Sequence, residues 1–237
     1  MNLKTAPRKE NPEESNTEPK TLVEAAYRSL RRDIIEGRLT PGDKLRIEHI
    51  KDNYGVGAGT LREALSLLIS DALVISQEQR GFWVAPVSLE DFGDITETRV
   101  MLECEALRQS IKLGDDAWEA DLVAAFHRLT RADEKLADSE SREEWEERNR
   151  IFHEVLIAAC PLRWVKHFLS ILYHQAERYR RLSIQQKSVP RNIHAEHEAL
   201  FKAALARDAE LASNILAQHI RFTFQSIRTL PVETLSR

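Results

Sequence analysis

A chain of 237 residues has room for one large domain or two smaller ones, and 42% hydrophobic residues suffice for closed cores. Two cysteines cannot build a disulfide framework. With no signal peptide and no apolar run long enough to span a bilayer, the expectation is a soluble, cytoplasmic chain that uses no membrane. The net charge of −4 excludes a strongly basic nucleic-acid binder, so any DNA affinity must come from local clusters.

Residues 1–19 are polar and nearly free of large apolar groups, which predicts a disordered arm. A first helix follows from about Leu22 to Glu36, with Leu22, Ala26, Leu30 and Ile34 as its buried stripe and Arg28, Arg31 and Arg32 as a basic cluster. Gly37 is its C-terminal stop, and Thr40-Pro41-Gly42-Asp43 is turn chemistry. Ile47, Ile50 and Tyr54 make the stripe of a short second helix. Beyond a glycine-bearing turn, Leu61, Leu65, Leu68 and Ile69 make that of a third. Two short helices around such a turn predict a helix-turn-helix, whose second helix enters the DNA major groove. Leu73–Ser76 and Phe82–Ala85 are β-prone runs with a polar tip between them, Gln77–Gly81; a hairpin in that place makes a winged helix.

Ser88 with Asp91 offers a capping box for the next helix, so the domain boundary is expected at Val87/Ser88. Residues 20–87 then form the winged helix-turn-helix, and 88–230 a helical effector-binding and dimerisation domain. No strand pattern persists in the second part. Six helices are predicted there, over 88–112, 116–136, 142–159, 161–185, 191–206 and 209–229, with breaks that include Asp138–Ser141 and Pro190. The fold class is mainly α: a winged head followed by an all-α antiparallel bundle.

Residues 21–87 resemble the DNA-binding domain of the GntR family of bacterial transcription regulators. The likeness rests on the IIEGRLTPGDKL run (Ile34–Leu45), the GV…LREAL core (Gly55–Leu65) and the RGFWVAP wing (Arg80–Pro86). Everything after Ser88 is similar to the FCD effector domain of the FadR-type branch. Within that branch LREALS, DALV, GDDAWEAD (Gly114–Asp121) and RYRRL (Arg178–Leu182) look most like CsiR-type members.

The first residues of a recognition helix reach base edges, here Gly57, Ala58, Gly59, Thr60 and Arg62. The family usually has Ser-Arg-Thr where this chain has Gly57-Ala58-Gly59, and Glu48 stands where many relatives carry an arginine, leaving Arg46 for that work. Arg62 is the main candidate for bidentate pairing with a guanine, with a helix-surface ion pair as its other reading. Thr60 suits a base or a phosphate, and the glycines let backbone N–H groups come close to phosphate. Arg80 and Gly81 at the wing tip suit the minor groove. A single winged helix offers a small surface, so a homodimer on double-stranded operator DNA is expected, joined by the helical domain.

The second part places polar groups on apolar faces. The inward stripes are Trp145, Asn149, Phe152 and Leu156 with His153 beside them; Ile193, His197, Leu200 and Ala204; and Ala212, Ile215, His219 and Phe222. Asn149 and His153 are one turn apart, and bundle cores are where metal sites are assembled. The FCD resemblance implies a divalent metal held by Asn149, His153, His197 and His219, with Asn149 standing where an Asp is common. Three imidazoles and an oxygen suit Zn or Ni better than Ca or Mg. Arg99 fills a rung of the apolar stripe of Phe92, Ile95, Leu102 and Ala106. It is either a partner of Glu103 or of another acid, or the clamp for the carboxylate of a small effector, a mono- or dicarboxylate, bound beside the metal. Gln175 and Tyr179 are weaker candidates for the wall of that pocket. His49, His127, His167, His174 and His194 are read as surface or structural.

The expected function is a DNA-binding transcription regulator, a repressor released by its ligand. The rivals are a helical metal-dependent enzyme and an interaction module that has lost DNA binding. No HExxH and no nucleophile arrangement occur, and the glycines at 55, 57 and 59 follow no strand of a βαβ unit, which argues against an enzyme.

Overall fold

The computed structural model describes residues 19–77, 80–135, 139–184 and 192–228. Nearly all of the proposed arm, two residues of the wing tip, the first residue of the Asp138–Ser141 break, and the Pro190 break lie outside them.

Helix α1 (Leu22–Ile35) starts where the Thr21 side chain accepts from the Glu24 amide, and it buries Ala26, Leu30, Ile34 and Ile35. Leu22 is the exception to the expected stripe, at 66% exposed, because the first turn runs past the edge of the core. Gly37 follows the α1 C-cap with φ +75°, the left-handed geometry that favours glycine after a helix. Helix α2 (Ile47–Ile50) continues into a 3-10 turn, Lys51–Tyr54, which Gly55 closes at φ +61°. Helix α3 (Ala58–Ser70) buries Leu61, Ala64, Leu65 and Leu68.

The wing has three strands rather than two. β1 (Lys44–Leu45), β2 (Val74–Gln77) and β3 (Gly81–Val84) form an antiparallel sheet in the order β1-β3-β2, with Leu45 opposite Phe82 and Ile75 opposite Trp83. A two-residue strand shows no alternation, so β1 left no periodic signal to read. Ala26, Leu30, Leu61, Leu65, Leu68, Leu73 and Val84 close one aliphatic core under the helices and sheet.

Beyond Ser88, whose hydroxyl accepts from the Asp91 amide, the described residues form six helices: α4 (Leu89–Leu113), α5 (Asp116–Asp133), α6 (Ser139–Leu156), α7 (Arg163–Ile184), α8 (Ile193–Leu205) and α9 (Ala209–Arg228). Leu107, Leu122, Leu129, Phe152, Leu156, Leu200, Ala212 and Leu216 form their main core. Phe92, Ile95, Ala176, Tyr179 and Ile227 form a second, smaller one between α4, α7 and α9. Phe222 leaves its expected stripe and is 44% exposed, while Leu216 and Ile220 face inward on α9. No described helix is long and apolar enough to cross a membrane.

Candidate functional site: a metal-ligating cluster beneath a winged head

Three helices bring one imidazole each into the bundle core. His153 on α6, His197 on α8 and His219 on α9 are buried, and one nitrogen of each lies within 4.8 Å of those of the other two. Ring centroids are 4.8 Å apart for His197 and His219, 5.3 Å for His153 and His219, and 5.7 Å for His153 and His197. Phe152 stands edge-on to His153 and His197, and Trp145 tilts toward His197, so the cluster sits in an apolar sleeve.

The surroundings favour neutral, oriented imidazoles. Burial pulls the His153 pKa down from its ordinary value, although Glu103 opposes this. His219 Nδ1 meets Glu196 Oε2 at 2.8 Å; donation there leaves Nε2 with its lone pair, the outer-sphere arrangement common around metal-bound histidine. His153 Nδ1 lies 3.8 Å from Glu103 Oε2.

Asn149 is one turn before His153 and 4% exposed. Its Nδ2 donates to the Tyr173 hydroxyl at 2.6 Å, and its Oδ1 is buried without a hydrogen-bond partner. A buried amide oxygen left bare costs about 1–3 kcal/mol, which coordination would remove. Three imidazoles plus that oxygen are therefore a donor set that fits a divalent ion, and the three histidines form a candidate metal site.

Arg99 borders the cluster. Its Nε donates to Glu103 Oε1 at 2.6 Å, and both side chains are 6% exposed. The ion pair with Glu103 one turn away is thus formed. The two terminal nitrogens of Arg99 donate to no described group, although its guanidinium lies 5.2 Å from the Tyr173 ring centre. Burial alone would raise the Glu103 pKa, but Arg99 and His153 outweigh it and hold the carboxyl well below its usual range. Arg180 approaches the same ring at 5.0 Å and pairs with the buried Glu146 at 2.8 Å.

Gln175 and Tyr179 are not part of this group, contrary to the expectation from α7 periodicity. Gln175 Nε2 donates to the Asp71 carbonyl at 2.6 Å, and the Tyr179 hydroxyl donates to Asp91 Oδ2 at 2.6 Å. Gln175 lies on the side of α7 that meets the winged head, and Tyr179 meets the start of α4. The aromatic residue of α7 at the site is Tyr173, which sequence reasoning missed together with Glu103 in its bridging role, Glu146, Arg180 and Glu196. Tyr173 and Arg180 are seven residues apart, the repeat that would have marked them as sharing a face.

Among the other histidines, His194 meets Asp133 at 2.9 Å, and burial lowers the His174 pKa to about 3. His49, His127 and His167 are exposed.

On the head, Arg46 is exposed at the N-cap of α2, and Gly57 is the N-cap of α3 with no side-chain cap. Thr60 is half-buried in the first turn. Arg62 is exposed and forms no salt bridge with a described residue, while its charge, behind that of Lys51, helps to hold the Glu48 carboxyl low. A Cβ at Gly57 or Gly59 would meet nothing within 4 Å, so packing does not demand glycine at either position. Arg80 is exposed beside Gly81, which has φ +105°.

Known proteins share both halves. The FCD domain model matches residues 94–222, and the model described as bacterial regulatory proteins, gntR family, matches residues 22–84. The uncharacterized HTH-type transcriptional regulator BphR of Paraburkholderia xenovorans is 50% identical over 211 residues, 88% of this chain and 86% of its own length. The HTH-type transcriptional repressor GlaR of Escherichia coli is 34% identical over 198 residues, 82% of this chain and 90% of its own. The solved structure of E. coli McbR/YncC shares the fold with a TM-score of 0.71 at 19% identity, covering 88% of this chain and 97% of that one. These relatives are transcription regulators, not enzymes. With a winged helix-turn-helix at one end and a histidine-bearing helical bundle at the other, the chain belongs to the gntR family of DNA-binding bacterial transcription regulators, in the group that carries an FCD domain.

Proposed function

We infer that this regulator is a repressor whose grip on operator DNA is released by a small mono- or dicarboxylate bound beside a divalent metal in the helical domain. One observation carries the reading. The two terminal nitrogens of the buried Arg99 have no described acceptor, and Glu103 links this arginine to His153 of the three-histidine cluster. A buried cation with open donors suits an incoming carboxylate, and bidentate pairing supplies strength and orientation. His153, His197, His219 and Asn149 would hold the metal. Neutral nitrogen donors with one amide oxygen favour Zn or Ni over Ca or Mg, and the ion would supply a fixed positive charge for the effector's second oxygen. The E. coli relative GlaR, a transcriptional repressor, supports the sign.

Residues 20–87 would form the DNA-binding unit and 88–230 the effector unit, working as a cytoplasmic homodimer on double-stranded operator DNA. Arg62 would read a guanine, Arg46 and Thr60 would contact the backbone or a base edge, and Arg80 with Gly81 would reach the minor groove. The bare N-terminus of α3 at Gly57 suits a phosphate oxygen.

Two measurements test the reading on the intact protein. Elemental analysis should find about one transition-metal ion per chain in the wild type and a clear loss in His197→Ala; equally low metal in both removes the site. Gel shifts on the DNA upstream of the gene should show binding that Arg62→Ala weakens, and an unchanged footprint would take Arg62 out of the readout.

A further inference from the structure

Helix α7 has two working faces. Tyr173 and Arg180 point one way, to Asn149, Arg99 and Glu146. At 100° per residue, Gln175 and Arg178 lie about 150° round the helix from them. That opposite face holds the winged head. Gln175 Nε2 donates to the Asp71 carbonyl at the end of α3, at 2.6 Å. Arg178, 1% exposed, donates through Nη2 to the Ala85 carbonyl just beyond β3, at 2.5 Å. Two looser ion pairs reach α1, Arg31 to Glu177 at 3.9 Å and Arg181 to Glu36 at 3.8 Å.

Tyr179 joins the same seam in an unusual way. A capping box at Ser88 and Asp91 would send the Asp91 carboxylate back to the Ser88 amide. Only half of it forms. Ser88 Oγ accepts from the Asp91 amide at 3.0 Å, but the Tyr179 hydroxyl stands in the other half, accepting from the Ser88 amide at 3.1 Å and donating to Asp91 at 2.6 Å. Its ring stacks on Phe92 at 4.4 Å. The start of α4, the helix that carries Arg99, is thereby stitched to α7.

Arg178 is the least self-sufficient member. It forms no ion pair with a described carboxylate, its Nε is buried without a hydrogen bond, and burial brings its pKa down to about 10. A buried guanidinium bonded to a loop carbonyl of the other unit is a costly way to fill space, and it holds only while that loop stays in place.

We propose that Gln175, Arg178 and Tyr179 are positioning residues for DNA binding: Gln175 and Arg178 clasp the winged head to α7 and Tyr179 fixes the start of α4 beside them, so that a change at Tyr173 and Arg180 on ligand or metal binding reaches α1, α3 and the wing through this one helix. The inference rests on the metal-site reading of the histidine cluster and adds the route by which that site acts. Head and bundle are otherwise joined in sequence only by the short segment between β3 and α4.

The test uses the full chain, stripped with EDTA and then reloaded with Zn2+ alone, followed by amide hydrogen exchange. In the wild type, Zn2+ should slow exchange in α7 and also in α1 and β3, by about fivefold or more, the low end of ordinary allosteric coupling. In Gln175→Leu/Tyr179→Phe, Zn2+ should still bind and still protect α7, while the response in α1 and β3 disappears. Arg178→Met, analysed alongside, should behave the same way and guards against an effect peculiar to the double variant. A head that responds to Zn2+ in these variants as it does in the wild type overturns the clasp. So does a wild-type head indifferent to Zn2+ while α7 is protected. Absence of Zn2+ uptake by the wild type overturns the metal-site reading, and the coupling with it.

Discussion

The two ends of the molecule handle polar groups in opposite ways. Every buried polar or charged side chain among the described residues lies in the helical bundle, from Thr96 to His219, and none lies in the winged head. The head closes over aliphatic side chains and keeps Arg46, Arg62 and Arg80 exposed. Its working surface can therefore change with little effect on its fold. The bundle does the reverse, enclosing Arg99, Glu103, Glu146, Asn149 and three histidines among Phe152, Leu200 and Leu216. Buried polar groups weaken a fold unless each is satisfied, so that interior is arranged around something other than stability.

The largest effect expected from this contrast is at Arg99. Arg99→Met leaves Glu103 as a buried carboxylate facing, among the described residues, only His153 at 3.8 Å, and breaking such a pair typically costs about 3–5 kcal/mol. Replacing both residues, Arg99→Met with Glu103→Leu, should recover most of that loss in urea unfolding, because paired burial is often near neutral against an apolar substitute. The double variant should nevertheless lose any response to carboxylates. If it is as unstable as the single one, Arg99 and Glu103 are held by more than each other, and the polar interior is structural.

In the head, Leu65→Ala provides the matching apolar test. Leu65 is fully buried between α1 and α3, and removing it should cost about 2–5 kcal/mol with no rescue by a polar partner. The loss should appear in the unfolding of the head, while metal uptake by the bundle stays unchanged. Loss of metal from this variant would show that the two units do not fold independently.

The same contrast explains which features could be read from the sequence. The head's helices follow apolar residues at helical spacing, and the stripe from Leu61 to Leu68 needs no tertiary information. His197 and His219 were visible as well, because each interrupts an apolar stripe at an inward position, and His153 stands beside such a stripe one turn from Asn149. Gln175 and Tyr179 were also correctly placed inward, but inwardness alone does not say which neighbour is met. Their side of α7 faces Asp71 and Asp91, whereas Tyr173 faces Asn149. That distinction depends on where the head and the start of α4 dock, which no local pattern records. Glu196 was hidden for a related reason: it precedes His197 on α8 but pairs with His219 on α9, across a helix boundary.

The smallest effect in stability is the one that separates packing from recognition most cleanly. Gly59 lies in the first turn of α3, and a Cβ there would meet nothing within 4 Å. Glycine in a helix is less favourable than alanine by about 0.5–1 kcal/mol, so Gly59→Ala should stabilise the head by about that amount in thermal or urea unfolding. If the glycines serve to bring the uncapped end of α3 close to DNA phosphate, the same substitution should weaken binding to the upstream DNA while the fold becomes firmer. A stabilised variant that binds as tightly as the wild type would mean that the bare helix end does not touch the duplex, leaving the contact to Arg62 and the wing.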